Sequence, residues 1–182
     1  MSRAIGMIEF RTVSKGVTAA DEMVKTSKVE LLEAETVCPG KYIALIAGDL
    51  SAVRAAVDSA TAKYPDELID SMVLGNPHES IFPAIYGVTT VGKVNALGIL
   101  ETYDVASMLV AADTAAKTAI VDLIELRIAK GMCGKSYMFL TGEVAAVTSA
   151  IETARQRIAD RGMFLDSSVI PNPDEQICRM IL

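Results

Sequence analysis

The order of hydrophobic and polar residues in the first half of the chain predicts a regular succession of strands and helices. Residues 4–11 alternate between the two classes, which is typical of a β-strand, and residues 14–27 repeat apolar side chains at helical spacing. Two apolar, β-prone runs follow at residues 29–37 and 42–47, and Pro39–Gly40 between them supplies the residues of a tight turn. We therefore predict a strand, a helix and a β-hairpin, in that order.

A second helix and a fourth strand complete this pattern. Residues 49–63 open with an acidic residue and repeat alanine and valine on one face, which predicts a helix, and residues 68–74 predict a strand. The predicted order is β-α-β-β-α-β, the split βαβ arrangement, in which two helices cover one face of an antiparallel sheet. The predicted fold class is therefore α/β, of the α+β sandwich type. The other face of such a sheet is left to water or to a neighbouring chain.

The chain repeats this pattern once. After a shift of 92 residues, residues 4–9 (AIGMIE) align with residues 96–101 (ALGILE), and the agreement continues through the first helix and the second strand. After two extra residues in the second copy, Gly40–Lys41 aligns with Gly134–Lys135. The sequence therefore predicts two copies of one small domain.

The ends of the two copies predict the boundary between them. After two further inserted residues, Asn76–Pro77 aligns with Asn172–Pro173. Residues 82–94 contain one proline and two glycines, a composition that is typical of a linker. We predict a first domain over residues 1–86 and a second over residues 94–182.

The composition indicates a protein that buries much apolar surface without a membrane span. Hydrophobic residues make up 51% of the 182 residues, yet no run reaches the roughly 18 uncharged apolar residues that a spanning helix needs. For domains of about 90 residues, part of this surface is expected to be buried between chains, so we predict an obligate oligomer. A formal net charge of -6 argues against binding to nucleic acid, which depends on clustered lysine and arginine. The N-terminus lacks the pattern of a secretory signal, so we expect a cytoplasmic protein.

Residues with reactive side chains are few. Cys38, Cys133 and Cys178 are an odd number at wide spacing, which does not fit an intramolecular disulfide framework, and metal binding or plain burial is open for each. His78 is the single histidine of the sequence and aligns with Asp174, which predicts a polar loop residue. The sequence shows no acid–base pair, no phosphate-binding glycine pattern and no Ser-His-Asp set, and therefore argues against an enzyme.

Several short segments resemble the bacterial microcompartment shell family. They are residues 4–9, 20–25, 48–49 and 76–79, and the second copy repeats them, so the resemblance covers nearly the whole chain. The tandem copies resemble the class in which three chains form a pseudohexameric ring. This resemblance implies two tandem microcompartment domains, a homotrimer, a place in a microcompartment shell in the cytoplasm, and contacts with other shell proteins.

Residues 36–41 (TVCPGK) are the most specific part of this resemblance. They are similar to a loop in this class for which the resemblance implies an iron-sulfur cluster at the central pore, here one 4Fe-4S cluster per trimer shared by three copies of Cys38. Three equivalent thiols cannot all pair as disulfides, so they remain free or supply three thiolate ligands to one metal centre. The second-copy loop lacks the Cys-Pro-Gly pattern and is predicted to be two residues longer. The residues that the resemblance assigns to the pore loops are Val37, Pro39, Gly40, Lys130 and Gly131.

Two further assignments concern the other cysteines and the edges of the tile. Cys133 is considered as a secondary ligand, although a packed or exposed bystander is preferred, and Cys178 is interpreted as structural. Lysines at equivalent places on the first helix of each copy are assigned to the edge between neighbouring tiles, with a solvated surface lysine as the alternative. An asparagine in each copy stands where many relatives carry arginine, and this departure counts against edge packing there. The four edge residues are Lys25, Lys117, Asn76 and Asn172.

Different interpretations of the pore lead to different functions. In the first hypothesis the tile carries the cluster and relays electrons across the shell, with a redox enzyme as partner. In the alternative the tile is passive, its pore conducts a small metabolite, three thiols narrow the opening and Lys130 favours anions. A third hypothesis, a small-molecule sensor, is disfavoured by the full-length repeat and the edge residues. The experiments that separate them concern metal content and pore permeability.

Overall fold

The computed structural model describes residues 3–182 as two compact units. The first comprises the residues up to Pro77 together with Gly131–Cys133, and the second comprises His78–Lys130 and Gly134–Leu182. Each unit contains a four-stranded antiparallel sheet and two long helices. This confirms the predicted duplication of one α+β domain. No helix within residues 3–182 combines the length and the apolar character that a membrane span requires.

The first unit follows the predicted β-α-β-β-α-β order, and its elements begin and end within two residues of the predicted bounds. All neighbouring strands of its sheet are antiparallel, in the spatial order β2-β3-β1-β4. The central strand of the repeat, β1, therefore pairs with both β3 and β4. The elements are β1 Arg3–Phe10, α1 Val13–Thr26, β2 Glu30–Val37, β3 Lys41–Asp49, α2 Leu50–Lys63 and β4 Leu68–Gly75.

The second unit repeats this arrangement, with the equivalent strand order β6-β7-β5-β8. It also contains two short helices, α3 and α6, which follow β4 and β8 along the chain. A single 3-10 turn, Ala159–Arg161, precedes β8. The elements are α3 Ile81–Ile85, β5 Ala96–Thr102, α4 Val105–Thr118, β6 Val121–Ile128, β7 Ser136–Gly142, α5 Val144–Ile158, β8 Phe164–Pro171 and α6 Glu175–Ile181.

Equivalent side chains start the first long helix of each unit. Thr12 caps α1, where its hydroxyl accepts a hydrogen bond from the backbone N–H of Lys15, and Asp104 caps α4 in the same way for Ser107. Such caps satisfy backbone donors that have no partner inside the helix. A threonine and an aspartate therefore serve as N-caps at the same position of the repeat.

The core of the first unit lies between the sheet and the helices α1 and α2. Fully buried side chains of β1 and β3, among them Ile8, Phe10 and Ile46, pack against Met23 of α1 and Val53 of α2. The burial of such side chains is the main favourable contribution to folding. Both helices therefore cover the same face of the sheet, as the sequence predicted.

The opposite face of the second sheet differs from the prediction, which left that face to water or to neighbours. Leu97 on β5 and Ile124 on β6 form a buried cluster with Val94, and Cys178 and Ile181 of α6 pack against it. Side chains alternate across a strand, and Gly98 faces α5, so Leu97 lies on the face away from the long helices. The chain itself therefore covers part of both faces of this sheet.

Candidate functional site

The hairpin turn between β2 and β3 presents Cys38. Only residues 38–40 connect the two strands, and the backbone N–H of Gly40 donates a 2.9 Å hydrogen bond to the carbonyl oxygen of Val37. Gly40 has a φ of 105°, which favours glycine, and the Cys38–Pro39 peptide bond is cis. Val37 is buried whereas Cys38 is exposed. The turn thus holds its thiol at the surface on a short, hydrogen-bonded loop.

A buried ion pair lies at the base of this turn. Lys41, the first residue of β3, pairs with the carboxylate of Glu9 on β1. Glu9 is only 2% exposed, so its charge needs this partner. The pair connects the end of the hairpin to the central strand of the sheet.

The equivalent loop of the second copy has a different structure. It spans residues 129–135 between β6 and β7, seven residues against three in the first copy. The sequence predicted a difference of two, and the remaining two arise because β6 ends one residue earlier, and β7 begins one residue later, than its counterpart in the first copy. Residues of left-handed φ make up much of it: Ala129 at 56°, Gly131 at 71°, Cys133 at 56° and Gly134 at 90°.

The predicted residues of this second loop differ in exposure. Lys130 is half-buried, Gly131 and Cys133 are exposed, and Ala129 is fully buried. The backbone N–H of Ala129 donates to the carbonyl oxygen of Lys135 at 3.1 Å, which closes the loop. Cys133 is thus an exposed thiol on a hairpin loop, as Cys38 is, but without the cis proline.

Within residues 3–182 of a single chain, no three His, Cys, Asp or Glu side chains are grouped so that they could hold a metal ion. Cys178, which the sequence analysis interpreted as structural, is half-buried and packs on the second sheet. One chain therefore offers an exposed thiol at Cys38, and a metal centre there would need thiols from further chains.

The lysines assigned to the tile edge form equivalent ion pairs along their helices. Lys25 pairs with Asp21 at 2.5 Å, and Lys117 pairs with Asp113 at 2.7 Å. Both pairs have the i, i+4 spacing that brings side chains together on a helix. The partners differ in burial, because Asp113 is 8% exposed and Asp21 is exposed.

The backbone gives a reason for the two asparagines assigned to the edge. Asn76 and Asn172 follow β4 and β8 and have φ values of 52° and 55°. Asparagine adopts this left-handed conformation more readily than other residues with a side chain. The position at which many relatives carry arginine is therefore, in both copies of this chain, a left-handed turn occupied by asparagine.

The comparison with known proteins confirms the resemblance found in the sequence. A family model described as the BMC domain matches residues 4–77 and again residues 96–173. The chain belongs to the BMC-domain family. The two matched ranges end just before α3 and α6, so each BMC domain is followed by a short helix outside the matched range.

Relatives of this tandem BMC protein match it over one or both domains. The bacterial microcompartment shell protein PduT of Citrobacter freundii is 41% identical over 182 residues, covering 100% of this chain and 99% of the relative. A microcompartment protein of Desulfitobacterium hafniense has a crystal structure that matches with a TM-score of 0.93 at 44% identity, over 98% of this chain and 99% of that one. The carboxysome shell protein CcmK2 of Thermosynechococcus vestitus is 36% identical over 85 residues, which is 44% of this chain and 83% of that protein. The last match, at about half the length, fits a duplicated domain.

Sequence analysis missed a contact between His78, which follows the first matched BMC range, and Asp113 of α4. The backbone N–H of His78 donates a 2.7 Å hydrogen bond to Oδ1 of Asp113, and the His78 ring lies 2.8 Å from the hydroxyl of Ser80. His78 is thus a polar loop residue, and its backbone shares the carboxylate that Lys117 also binds. The sequence contains an aspartate and a lysine at i, i+4 spacing on the first helix of both copies. This spacing did not indicate that only the aspartate of the second copy would be buried and bound by another segment.

A polar pocket of about 470 Å³ lies in the second unit. Glu125 accepts hydrogen bonds from Arg127 at 2.6 Å and from the Tyr137 hydroxyl at 2.9 Å. Burial, followed by the bond to Glu125, raises the pKa of Tyr137 above its ordinary value. The hydrogen bond to Glu125 raises the pKa of Arg127 as well.

Proposed function

We propose that three copies of this chain form a ring that serves as a structural tile of a bacterial microcompartment shell, with the three Cys38 thiolates holding one 4Fe-4S cluster at the centre of the ring. The cluster relays electrons across the shell to or from a redox enzyme. The chain's role is structural and electron-transferring rather than enzymatic. The observation that carries this proposal is the exposed Cys38 thiol at the tip of a three-residue hairpin turn.

Membership of the BMC-domain family and full-length similarity to a microcompartment shell protein support the tile. Each chain contains two BMC domains, so three chains would present six similar domains. Closed cyclic symmetry is the usual arrangement of soluble homo-oligomers. Other shell proteins are the partners of the tile at its outer edges.

The residues of the turn fit the proposed cluster in chemistry and in number. Cysteine thiolates are the usual protein ligands of iron-sulfur clusters, and each chain supplies one at this point. Space around the turn is open, since a Cβ at Gly40 would have no other atom within 4 Å. The fourth iron would be left to a non-protein ligand or to a group other than Cys38.

Contacts of the residues beside Cys38 hold the turn in position. The hydrogen bond from Gly40 to Val37 and the buried Glu9–Lys41 pair fix the turn on the sheet, so little backbone freedom of the turn remains to be lost on binding. When bound, such a cluster carries single electrons at a potential that its surroundings tune.

The test is anaerobic purification, followed by reconstitution with iron and sulfide, and then by metal analysis, absorbance and electron paramagnetic resonance. The expected content is about four iron ions and four sulfide ions per three chains. Cys38→Ser should abolish the signal, whereas Cys133→Ser should retain it. Cys133 is a matched control because it is also an exposed thiol on the equivalent hairpin loop. Iron-free wild-type protein after reconstitution, or a cluster retained in Cys38→Ser, would contradict the cluster.

The alternative of a passive, metabolite-conducting tile makes an opposite prediction for the same variants. Permeability of assembled shells would then change in Cys38→Ser protein that never contained metal, and no redox signal would be found in any variant. Half-buried Lys130 on the second loop would favour anions in that case.

A further inference from the structure

The first helices of the two BMC domains are equivalent in sequence but not in burial. Val13, Val17 and Val24 of α1 are 37%, 48% and 39% exposed. Their counterparts on α4 are Val105 and Leu109, which are 0% exposed, and Ala116, which is 8% exposed. The three valines share one stripe of α1, since they are spaced by four and seven residues. The apolar stripe is therefore buried on α4 of the second copy and exposed to solvent on α1 of the first copy.

The strands that follow these helices show the same difference. Leu31 of β2 is 44% exposed, whereas the equivalent Leu123 of β6 is fully buried. Farther along, Ala34 and Thr36 are exposed where β6 has Leu126 and Ile128, each 1% exposed. We name the bare region the α1–β2 surface, and it comprises Val13, Val17, Val24, Leu31 and Ala34.

Within the second unit, α3 provides part of the cover of α4 and β6. This helix packs against both elements, and its Ile81 and Ala84 are 0% exposed. The hydrogen bond from His78 to Asp113 fixes the start of this segment on α4. The repeat assigns α3 to the first copy, because it follows Asn76–Pro77 as α6 follows Asn172–Pro173. The tail of one copy thus covers the helix and strand of the next copy.

The tail of the second copy carries apolar residues at the same two positions, but these are not covered. In the alignment, Ile81 corresponds to Ile177 and Ala84 to Met180, which are 51% and 84% exposed. Cys178 and Ile181 on the neighbouring face of α6 already pack on the second sheet. The helix is therefore held in place with its remaining apolar side chains uncovered.

We propose that α6 of one chain packs on the α1–β2 surface of the next copy of this chain, as α3 packs on α4 and β6. This inference rests on the ring of three proposed above and identifies the contact that closes it. Head-to-tail contacts between identical chains form a ring when the rotation from one chain to the next closes, as in the ring of three proposed above. The α1–β2 surface and the exposed side chains of α6 then form the two sides of one heterologous interface.

The proposal also names a polar contact. Asp21 occupies on α1 the position of Asp113 on α4, and Asp174 occupies the position of His78. The backbone N–H of Asp174 is therefore expected to donate to the Asp21 carboxylate of the next chain. Lys25 neutralises that carboxylate in the free chain, as Lys117 does for Asp113.

A cross-linking experiment tests the register of this contact. Asp21→Cys and Asp174→Cys are combined in a Cys38→Ser, Cys133→Ser chain, which removes the other exposed thiols and any cluster bound by Cys38. Oxidation should give covalent dimers and trimers on a non-reducing denaturing gel, and reduction should return the single chain of 19.4 kDa. Each single cysteine variant in the same background should run as a single chain.

A second experiment removes the apolar contact without touching the core. Met180→Asp and Val17→Asp alter opposite halves of the interface at positions exposed in the free chain, and each should raise the dissociation constant of the ring by about tenfold or more. Ile120→Asp is the control, because Ile120 is 95% exposed and lies outside both surfaces. Light scattering across a dilution series gives the assembly, and circular dichroism checks that the fold is retained.

The failure of this inference differs from the failure of the proposed function. A wild-type chain that is monomeric at all concentrations overturns the ring itself. A ring that persists in Met180→Asp and Val17→Asp, and whose double-cysteine form never cross-links, overturns the α6 contact while the ring stands. Loss of the cluster does not affect the cross-linking result, since that chain lacks Cys38.

Discussion

Gly98 of β5 and Val147 of α5 approach so closely that a Cβ at Gly98 would lie 2.8 Å from Cγ1 of the valine. Gly6 and Val53 repeat this relationship in the first unit, also at 2.8 Å. Real Cβ atoms do not approach so closely, so the helix rests on the strand only where the side chain is a hydrogen atom.

Gly98→Ala should therefore destabilise the protein. Adding a methyl group to a tightly packed core costs about 1 to 3 kcal/mol, since side chains or backbone must shift to admit it. Denaturant unfolding at a fixed protein concentration measures the change. Gly92→Ala is the matched control, because nothing lies within 4 Å of a Cβ at Gly92. Equal stabilities of the two variants would show that α5 adjusts without cost.

Lys41→Met should destabilise the first unit by about 3 kcal/mol, because it leaves the buried Glu9 carboxylate without its partner. Glu9→Gln combined with Lys41→Met removes the unpaired charge and should recover part of this loss. Denaturant unfolding of the wild type, both single variants and the double variant completes the cycle. Purely additive losses would mean that the pair makes no specific contribution.

Asn172→Ala should cost about 1 kcal/mol, and Asn172→Gly should be close to neutral. The residue has a φ of 55°, which alanine adopts with strain and glycine adopts freely. Thermal unfolding of the three proteins orders them. If alanine and glycine were tolerated equally, the left-handed turn would not explain the asparagine.

Tyr137 should make the protein sensitive to alkali. Its pKa is raised in the folded chain, so the folded state holds the phenol proton more tightly than the unfolded state, whose phenol has a pKa of about 10. The resulting stability is fully present below pH 10 and is lost as the pH rises through the folded pKa.

Tyr137→Phe tests this pH dependence. The variant should lose about 1 kcal/mol at pH 7, because the hydrogen bond to Glu125 is missing, and its melting temperature should fall less steeply above pH 10 than that of the wild type. Tyr103→Phe is the control, since Tyr103 is 52% exposed. A wild-type slope in Tyr137→Phe would assign the alkaline loss to other groups.

Local patterns predicted most of the fold because each long element is a continuous apolar or periodic segment bounded by polar or turn residues. The helical spacing in α1 extends over 14 residues, and its bounds agree with the structure within two residues. The bounds of β1 agree equally well, but residues 4–10 are all buried, so the strand is an apolar run and the predicted alternation was wrong. The hairpin turn at Pro39–Gly40 was likewise predicted from its residue types, because they suit the backbone of a tight turn.

The two short helices could not be predicted in this way. α3 contains Pro83 and has five residues, and α6 has seven, so neither is long enough to show a period or to be stable alone. They are helical because packing on a sheet or helix compensates for the cost of ordering them. The residues of the second loop are a similar case, since Ala129 and Cys133 carry no signal of a left-handed backbone.

The sequence by itself determined the duplication, the order of strands and helices in each copy, and the position of Cys38 at a turn, since all three depend on neighbours in the chain. Only the tertiary structure decided which of two equivalent surfaces is covered. Val17 and Leu109 are both apolar at the same position of equivalent helices, yet the first is 48% exposed and the second 0%. Burial depends on segments distant in sequence, and in this protein the segment that covers the second copy has its counterpart at the very end of the chain.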